Sequence, residues 1–295
     1  MALIVNPFAS GVSEQTVERV EAELGAVADV TTLRTERPRH ATELAQTASG
    51  DGFDAIVGLS GDGGYNEILN GLDSRLPVGF VPGGGTSVLP RALGLPRDAV
   101  RAARQIAQAL EAGRTRSISL GSVNGWRFGF EAGIGFDAAA VRKVDELGRS
   151  EDGKRPGDLA FLKAIALVVA ENSGRFPPAL EIKGLGRAAF AIVANTDPTT
   201  YAGPVALHFA PAARFELGLD VAAPTEVRRR SIPRLFAASF LGRGFNRRRT
   251  LYGHDLDRIE IVCDRPLPLQ ADGEDLGDVT EALFECERNA LDVLV

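Results

Sequence analysis

The sequence predicts two domains of different architecture, a parallel α/β domain followed by a β-rich one, and three observations carry that prediction. Through the first 120 residues, short apolar runs alternate with segments of helical periodicity, and strands that alternate with helices build a parallel sheet. From about Ser117 onward the pattern changes to runs with strand character, interrupted by one helical stretch over 136–172. Loops at 6–11, 60–64 and 82–86, the last two glycine-rich, follow the early strands, the edge at which open α/β sheets bind ligands, so they are expected to converge on one crevice. A chain of 295 residues is long enough for two cores. The expected boundaries are 1–118 for a nucleotide-binding domain and 119–284 for a β-rich lipid or substrate domain, with 285–295 a candidate to return to the first.

The elements read in order as follows. Residues 3–5 form an opening strand, 14–24 a helix, 27–32 a strand, 40–48 a helix and 55–58 a strand; a helix starts at Tyr65 and 78–81 is a further strand. The later runs are 117–123, 126–132, 189–195, 217–222, 258–264 and 267–272. No internal repeat or low-complexity segment is visible. The N-terminus lacks a basic n-region and reads as a strand rather than a signal peptide. The longest apolar stretch, 159–170, contains Lys163 and is shorter than the roughly 20 residues a spanning helix needs. Cys263 and Cys286 have no metal-ligand spacing and read as reduced core residues. These features predict a cytoplasmic protein.

A net charge of −6 argues against a nucleic-acid partner, which normally requires a basic domain or stripe. Charge is nonetheless uneven: nine arginines lie between Thr225 and Arg258, including Arg228, Arg229 and Arg230 and then Arg247, Arg248 and Arg249. Such a segment suits peripheral contact with the inner face of an anionic membrane, and equally an ordinary solvated face. His40, His208 and His254 show no spacing that suggests a metal site or a triad, and read as structural or surface groups.

Chemistry enters at Ile56-Val57-Gly58-Leu59-Ser60-Gly61-Asp62-Gly63-Gly64-Tyr65-Asn66-Glu67, a strand running through a glycine turn into a helix. Glycines let backbone N–H groups approach phosphate oxygens, and the helix N-terminus favours negative charge. The run matches neither the P-loop spelling nor the protein-kinase motifs. Asp-Gly is also an ordinary turn. A second run, Pro82-Gly83-Gly84-Gly85-Thr86-Ser87, repeats the strand, glycine loop, helix order, and two such loops can hold one polyphosphate from two sides.

Taken together, these runs resemble the catalytic domain shared by bacterial diacylglycerol kinases, sphingosine kinases and ceramide kinase, a fold distantly similar to that of NAD kinase. The similarity extends to Asn6-Pro7 with Ser10-Gly11, to Arg91, Leu93 and Gly94, to Ala132-Gly133-Ile134-Gly135-Phe136-Asp137-Ala138 and to Gln270-Ala271-Asp272-Gly273-Glu274. The resemblance implies a Rossmann-like α/β domain with a C-terminal β-sandwich-like domain. It implies an ATP-dependent, Mg²⁺-requiring kinase for the hydroxyl of diacylglycerol or a related long-chain lipid, of a kind serving phospholipid biosynthesis. It assigns Asn6, Ser10, Ser60, Gly61, Asp62, Gly63, Glu67, Gly83, Gly84, Gly85 and Thr86 to the nucleotide. Asp272 becomes the catalytic base and Glu274 its supporting partner, and no metal ligand is assigned. A soluble acceptor, as in NAD kinase, and a non-catalytic nucleotide- or lipid-binding homologue remain alternatives, and a homodimer remains open.

Three places depart from the family pattern. Gly64 stands where many members have threonine, Gly85-Thr86-Ser87 replaces the more usual Gly-Thr-x-Asn, and Glu216-Leu217-Gly218-Leu219-Asp220 replaces an acidic Asp-Gly segment associated with a divalent ion. Candidate lining for a lipid cleft comes from Phe136, Leu159, Phe161, Leu162, Ile165 and Leu167, which are equally plain core residues. Asp-Gly-Glu at 272–274 is equally the spelling of a hairpin turn.

Overall fold

The computed structural model describes residues 1–73, 76–146, 158–242 and 249–295. The chain divides into two compact units. One comprises Met1–Ile118 with Asn289–Val295, and the other lies between Ser119 and Arg288.

The first unit contains β1 (Ala2–Val5), α1 (Glu14–Gly25), β2 (Thr31–Arg34), α2 (His40–Gly50), β3 (Ile56–Ser60), α3 (Asp62–Gly71), β4 (Val78–Pro82), α4 (Val88–Ala92) and α5 (Ala99–Glu111). The strands are parallel in the order β2-β1-β3-β4. β1, β3 and β4 are buried at every position, which is why they read as unbroken apolar runs rather than alternating ones. β2 is the edge strand. It begins four residues later than the pattern of 27–32 suggests, because Val27 and Ala28 still bond back to Leu24 at the end of α1. Ser13 caps α1 by accepting from Thr16 N at 3.2 Å, and Asp98 caps α5 by accepting from Arg101 N at 2.8 Å.

The second unit begins within β5 (Arg116–Val123) and continues with β6 (Trp126–Phe128), β7 (Glu131–Ile134), α6 (Phe136–Glu146), α7 (Asp158–Glu171), β8 (Arg175–Phe176), β9 (Leu180–Ile182), β10 (Gly186–Ala188) and β11 (Ala191–Ala194). Next come β12 (Thr200–Ala202), β13 (Val205–Leu207), β14 (Leu219–Pro224), β15 (Val227–Arg228), α8 (Ile232–Phe240), β16 (Thr250–Leu256), β17 (Arg258–Ala271) and β18 (Glu274–Val293). Strands β16-β14-β11-β7-β17-β18 run antiparallel in that order, and β9 with β10 extends from β17. Val123, Phe128, Ile134, Val193, Val221, Ile261 and Phe284 belong to its core. The runs 258–264 and 267–272 prove to be one strand, β17, whose register slips between Val262 and Leu267. Pro266 sits in that gap, where its missing N–H interrupts no ladder bond. The helical stretch expected over 136–172 is two helices, α6 and α7. The end of β18 pairs Val293 in parallel with Val78 of β4, inside the first unit.

Candidate active site

In the first unit the three glycine loops are tied together by backbone. Gly11 N donates to Gly83 O at 2.8 Å, Gly83 N to Ser60 O at 2.7 Å, and Asn6 N to Leu59 O at 3.0 Å. Asn6 Oδ1 accepts from Phe8 N at 3.0 Å, turning the first loop out of β1. These contacts leave no room for side chains. A Cβ at Gly83 would lie 2.8 Å from Val12 and 2.9 Å from Ser60 O, and one at Gly84 would lie 2.8 Å from Gly61 Cα. Glycine is therefore required to bring bare peptide edges together at the start of α3, an arrangement suited to phosphate oxygens.

Asp62 opens α3, and its Oδ1 accepts from Leu89 N at 3.2 Å, fastening α3 to α4. Ser87, at φ 48°, closes its own loop: its hydroxyl donates to Gly84 O at 3.1 Å. Thr86 and Ser10 belong to the same set of loops, with Ser10 exposed and Thr86 half-buried. Glu67 sits one turn into α3 and directs both oxygens to α2, accepting from Arg39 N at 2.9 Å and Ala41 N at 3.1 Å. Residue 39 is left-handed at φ 64° and gives α2 no side-chain cap, so Glu67 supplies one from a neighbouring helix. Gly64, the departure from threonine, has a physical reason: a Cβ there would lie 2.0 Å from Ser60 Oγ, so the Ser60 hydroxyl occupies that space.

In the second unit Asp272 and Gly273 form the two-residue turn between β17 and β18, with φ of 48° and 81°. Two positive φ angles make this the twisted hairpin turn that Asp-Gly favours, so the turn reading holds for the backbone. The side chain does something more. Asp272 is 3% exposed, and its carboxylate accepts from Gly129 N at 2.6 Å, Phe130 N at 3.0 Å and Glu131 N at 3.2 Å. Asn195 steadies that donor segment, with Nδ2 donating to Gly129 O at 2.9 Å and Ser119 O at 2.7 Å. Glu274 opens β18 opposite Ala271.

Two further carboxyls, Glu131 beside Asp272 and Asp137 near Glu131, were not assigned by sequence reasoning. Asp137, at the start of α6, accepts from Gln270 Nε2 at 2.5 Å. Gln270 is fully buried, and its Oε1 accepts from Gly273 N at 2.8 Å, which fixes the amide so that its N–H₂ faces the acids. Gly133 makes space, since a Cβ there would sit 2.5 Å from Asp137 Oδ2; this is the reason for a glycine in that motif. Burial raises the Asp137 pKa to about 6. Glu131 is 7% exposed, and burial, reinforced by the charges of Asp137 and Asp272, pushes its pKa well above the usual carboxylate range. The signal in the sequence was that Asp137 and Gln270 both fall inside the motif runs.

Glu131 and Asp137 look into an apolar cavity walled by Phe136 and Ala140 of α6, Phe161 and Ile165 of α7, Phe190 and Ile192 around β11, and Ile232 and Leu235 of α8. Of the residues expected to line a lipid cleft, Phe136, Phe161 and Ile165 are in this wall, while Leu167 is 36% exposed. The side chains of Leu159 and Leu162, together with Arg247 and Arg248, lie outside the described residues. His254 Nδ1 and Asp220 Oδ1 are 2.8 Å apart, Tyr252 also bonds Asp220, and His208 Nδ1 lies 2.6 Å from Asp197 Oδ2. Glu216-Leu217-Gly218-Leu219-Asp220 thus ends in a buried aspartate matched by protein groups. Among the described residues no set of three His, Cys, Asp or Glu side chains is placed to hold a metal ion.

Residues 1–123 match the diacylglycerol kinase catalytic domain, and residues 131–295 match the YegS C-terminal NAD kinase beta sandwich-like domain. A diacylglycerol kinase of Bacillus subtilis is 41% identical over 91 residues, 30% of this chain and 29% of that protein. Human sphingosine kinase 2 is 36% identical over 104 residues, 32% of this chain and 16% of that protein. These alignments span under a third of the relatives' own length. Among solved structures, a diacylglycerol kinase from Bacillus anthracis superposes with a TM-score of 0.72 at 20% identity, covering 99% of this chain and 95% of that one. An NAD kinase from Archaeoglobus fulgidus in complex with ATP superposes at 0.54 with 17% identity, covering 100% and 93%. The chain belongs to the diacylglycerol kinase family of lipid kinases, and its fold is the one shared with NAD kinases.

Proposed function

We propose that this protein transfers the γ-phosphoryl group of ATP to the hydroxyl of diacylglycerol or a closely related long-chain lipid. The observation that carries the reading is the pairing, within the second unit, of a buried carboxylate in a nest of three N–H groups with an apolar cavity edged by acids. A cavity of this lining suits acyl chains better than a soluble acceptor such as NAD.

Each residue has a definable task. The Gly61, Gly63, Gly83, Gly84 and Gly85 peptides, with Asn6, Ser10, Ser60 and Thr86, hold the triphosphate; the lack of Cβ atoms lets the main chain approach the oxygens. Mg²⁺ would neutralise those oxygens and travel with the nucleotide, with Asp62 the carboxylate at the mouth of the cradle. Glu67 acts indirectly by holding α2 against α3. Asp272 receives the proton of the acceptor hydroxyl. Its three bonds from backbone N–H groups fix the carboxylate in orientation for that transfer. Glu274 is the supporting acid across the turn.

We extend the reading to a membrane surface. No helix of the described residues is long and apolar enough to cross a bilayer. α8, which walls the cavity, leaves Phe240 45% exposed and is followed by Leu241 at 64%, while Arg229, Arg230 and Arg234 are exposed on and before it. Apolar tips beside cations suit an anionic bilayer. The decisive experiment is transfer of labelled γ-phosphate from Mg-ATP to diacylglycerol, sphingosine, ceramide and NAD in mixed micelles. A labelled diacylglycerol product is expected; label in NAD alone would overturn the proposal.

A further inference from the structure

We propose that the Glu131 side chain is the polar anchor that holds the head of the acceptor lipid in the apolar cavity beside Asp272. The inference rests on the lipid-kinase reading and adds to it the chemistry of the acceptor head. Glu131 Oε2 is fully buried and has no hydrogen-bond partner in the protein. Buried polar oxygens are normally paired, and an orphan on a residue that lines a cavity marks a place where a ligand group can complete the bonding. The cavity is otherwise built from side chains such as Phe136, Phe161, Phe190 and Ile232.

The position of Glu131 is set from both sides of its own residue. Its N–H donates to Asp272 Oδ1 at 3.2 Å and its carbonyl accepts from Asp272 N at 2.8 Å, so a head group held by the side chain lies next to the residue that takes the hydroxyl proton. The charged or titratable groups that act on Glu131 are Asp137 from α6 and Asp272 from the β17–β18 turn, and both are acidic. No cation opposes them in that set, and Gln270 is the neutral donor. A carboxyl in such surroundings keeps its proton, as the raised pKa reflects, and then offers one donor and one acceptor. That combination fits a hydroxyl or an ester carbonyl and disfavours an anionic head. The predicted acceptor is therefore an uncharged hydroxyl lipid of the acylglycerol class, with a long-chain amino alcohol as the competing outcome.

The test compares the unmodified protein with E131Q and E131L, in transfer assays with dioctanoylglycerol and by direct titration of dioctanoylglycerol binding. E131L, which keeps the bulk and loses both bonds, is expected to raise the lipid KM and the binding constant about tenfold or more, with the ATP KM unchanged. E131Q, which supplies a donor and an acceptor but cannot ionise, is expected to bind like the unmodified protein at pH 6. It should hold its lipid KM as the pH is raised, while that of the unmodified protein climbs once Glu131 ionises; this comparison decides the matter even if E131L does not fold. Parallel pH profiles, or E131L with unchanged lipid KM and binding, overturn the inference and leave the kinase reading intact. Tighter binding of sphingosine that E131Q abolishes also overturns it, since that requires an ionised carboxylate. If no lipid is phosphorylated, the kinase reading fails, and the binding titration alone then supports or overturns the anchor.

Discussion

Replacing Asp137 by asparagine tests the electrostatics of the acid cluster directly. Burial raises the Asp137 pKa from an ordinary 3.8 to about 6. Between those values the unfolded chain has released its proton and the folded chain still holds it, so stability falls as pH rises through the window. The displacement, about 2.2 pH units at 1.36 kcal/mol each, is worth about 3 kcal/mol once pH exceeds 6. The D137N side chain would keep the bond to Gln270 through its amide oxygen and carry no charge. Expected, then, is a variant close to the unmodified protein at pH 4 and more stable by up to about 3 kcal/mol at pH 7, a urea midpoint shift of roughly 1 to 3 M. Trp126 is the single tryptophan and lies in the same unit, so its fluorescence reports the relevant transition. Removing Asp137 also relieves part of the upward push on Glu131, so the difference between the two proteins reports the pair of acids together. Stability curves that run parallel from pH 4 to 7 would refute the reasoning.

The other predictions probe single contacts. D272N should abolish phosphoryl transfer while leaving ATP affinity intact, and should cost about 1–3 kcal/mol because an amide N–H₂ turned into three N–H donors leaves one unmatched; retained turnover would remove Asp272 from the mechanism. G64A should destabilise by about 1–3 kcal/mol through overpacking against Ser60, with much of the loss recovered in the S60G/G64A double variant; thermal melts that show no such recovery contradict the packing account. E67A should lower the melting temperature through lost capping of α2, a cost of about 0.5–2 kcal/mol, with smaller effects on the KM for ATP. R229E/R230E should weaken sedimentation with phosphatidylserine vesicles by tenfold or more, at roughly 1 kcal/mol for each cation removed, and unchanged sedimentation would detach the arginines from the membrane.

What was legible in the sequence was governed by short-range chemistry. Unbroken apolar strands, helical spacing and the glycine runs announced a parallel sheet with phosphate-suited loops, because both faces of β1, β3 and β4 are covered and a Cβ in Gly83 or Gly84 has nowhere to go. Asp272-Gly273 announced its hairpin, because that dipeptide tolerates two left-handed residues in succession. Strand ends were less legible: proline broke the apparent pattern of β17 without ending the strand.

Other features exist only once distant segments meet. Nothing local distinguishes Glu67 as the cap of α2, 26 residues away from Ala41, or explains Gly64 before the Ser60 hydroxyl is seen filling its space. Asp137 and Gln270 are 133 residues apart and share one hydrogen bond. The sequence alone determined periodicity, turns and the places where side chains are forbidden, since these depend on neighbours along the chain. Only the tertiary structure decided which carboxyls are charged, because a pKa answers to the burial and the charges that folding gathers around the group.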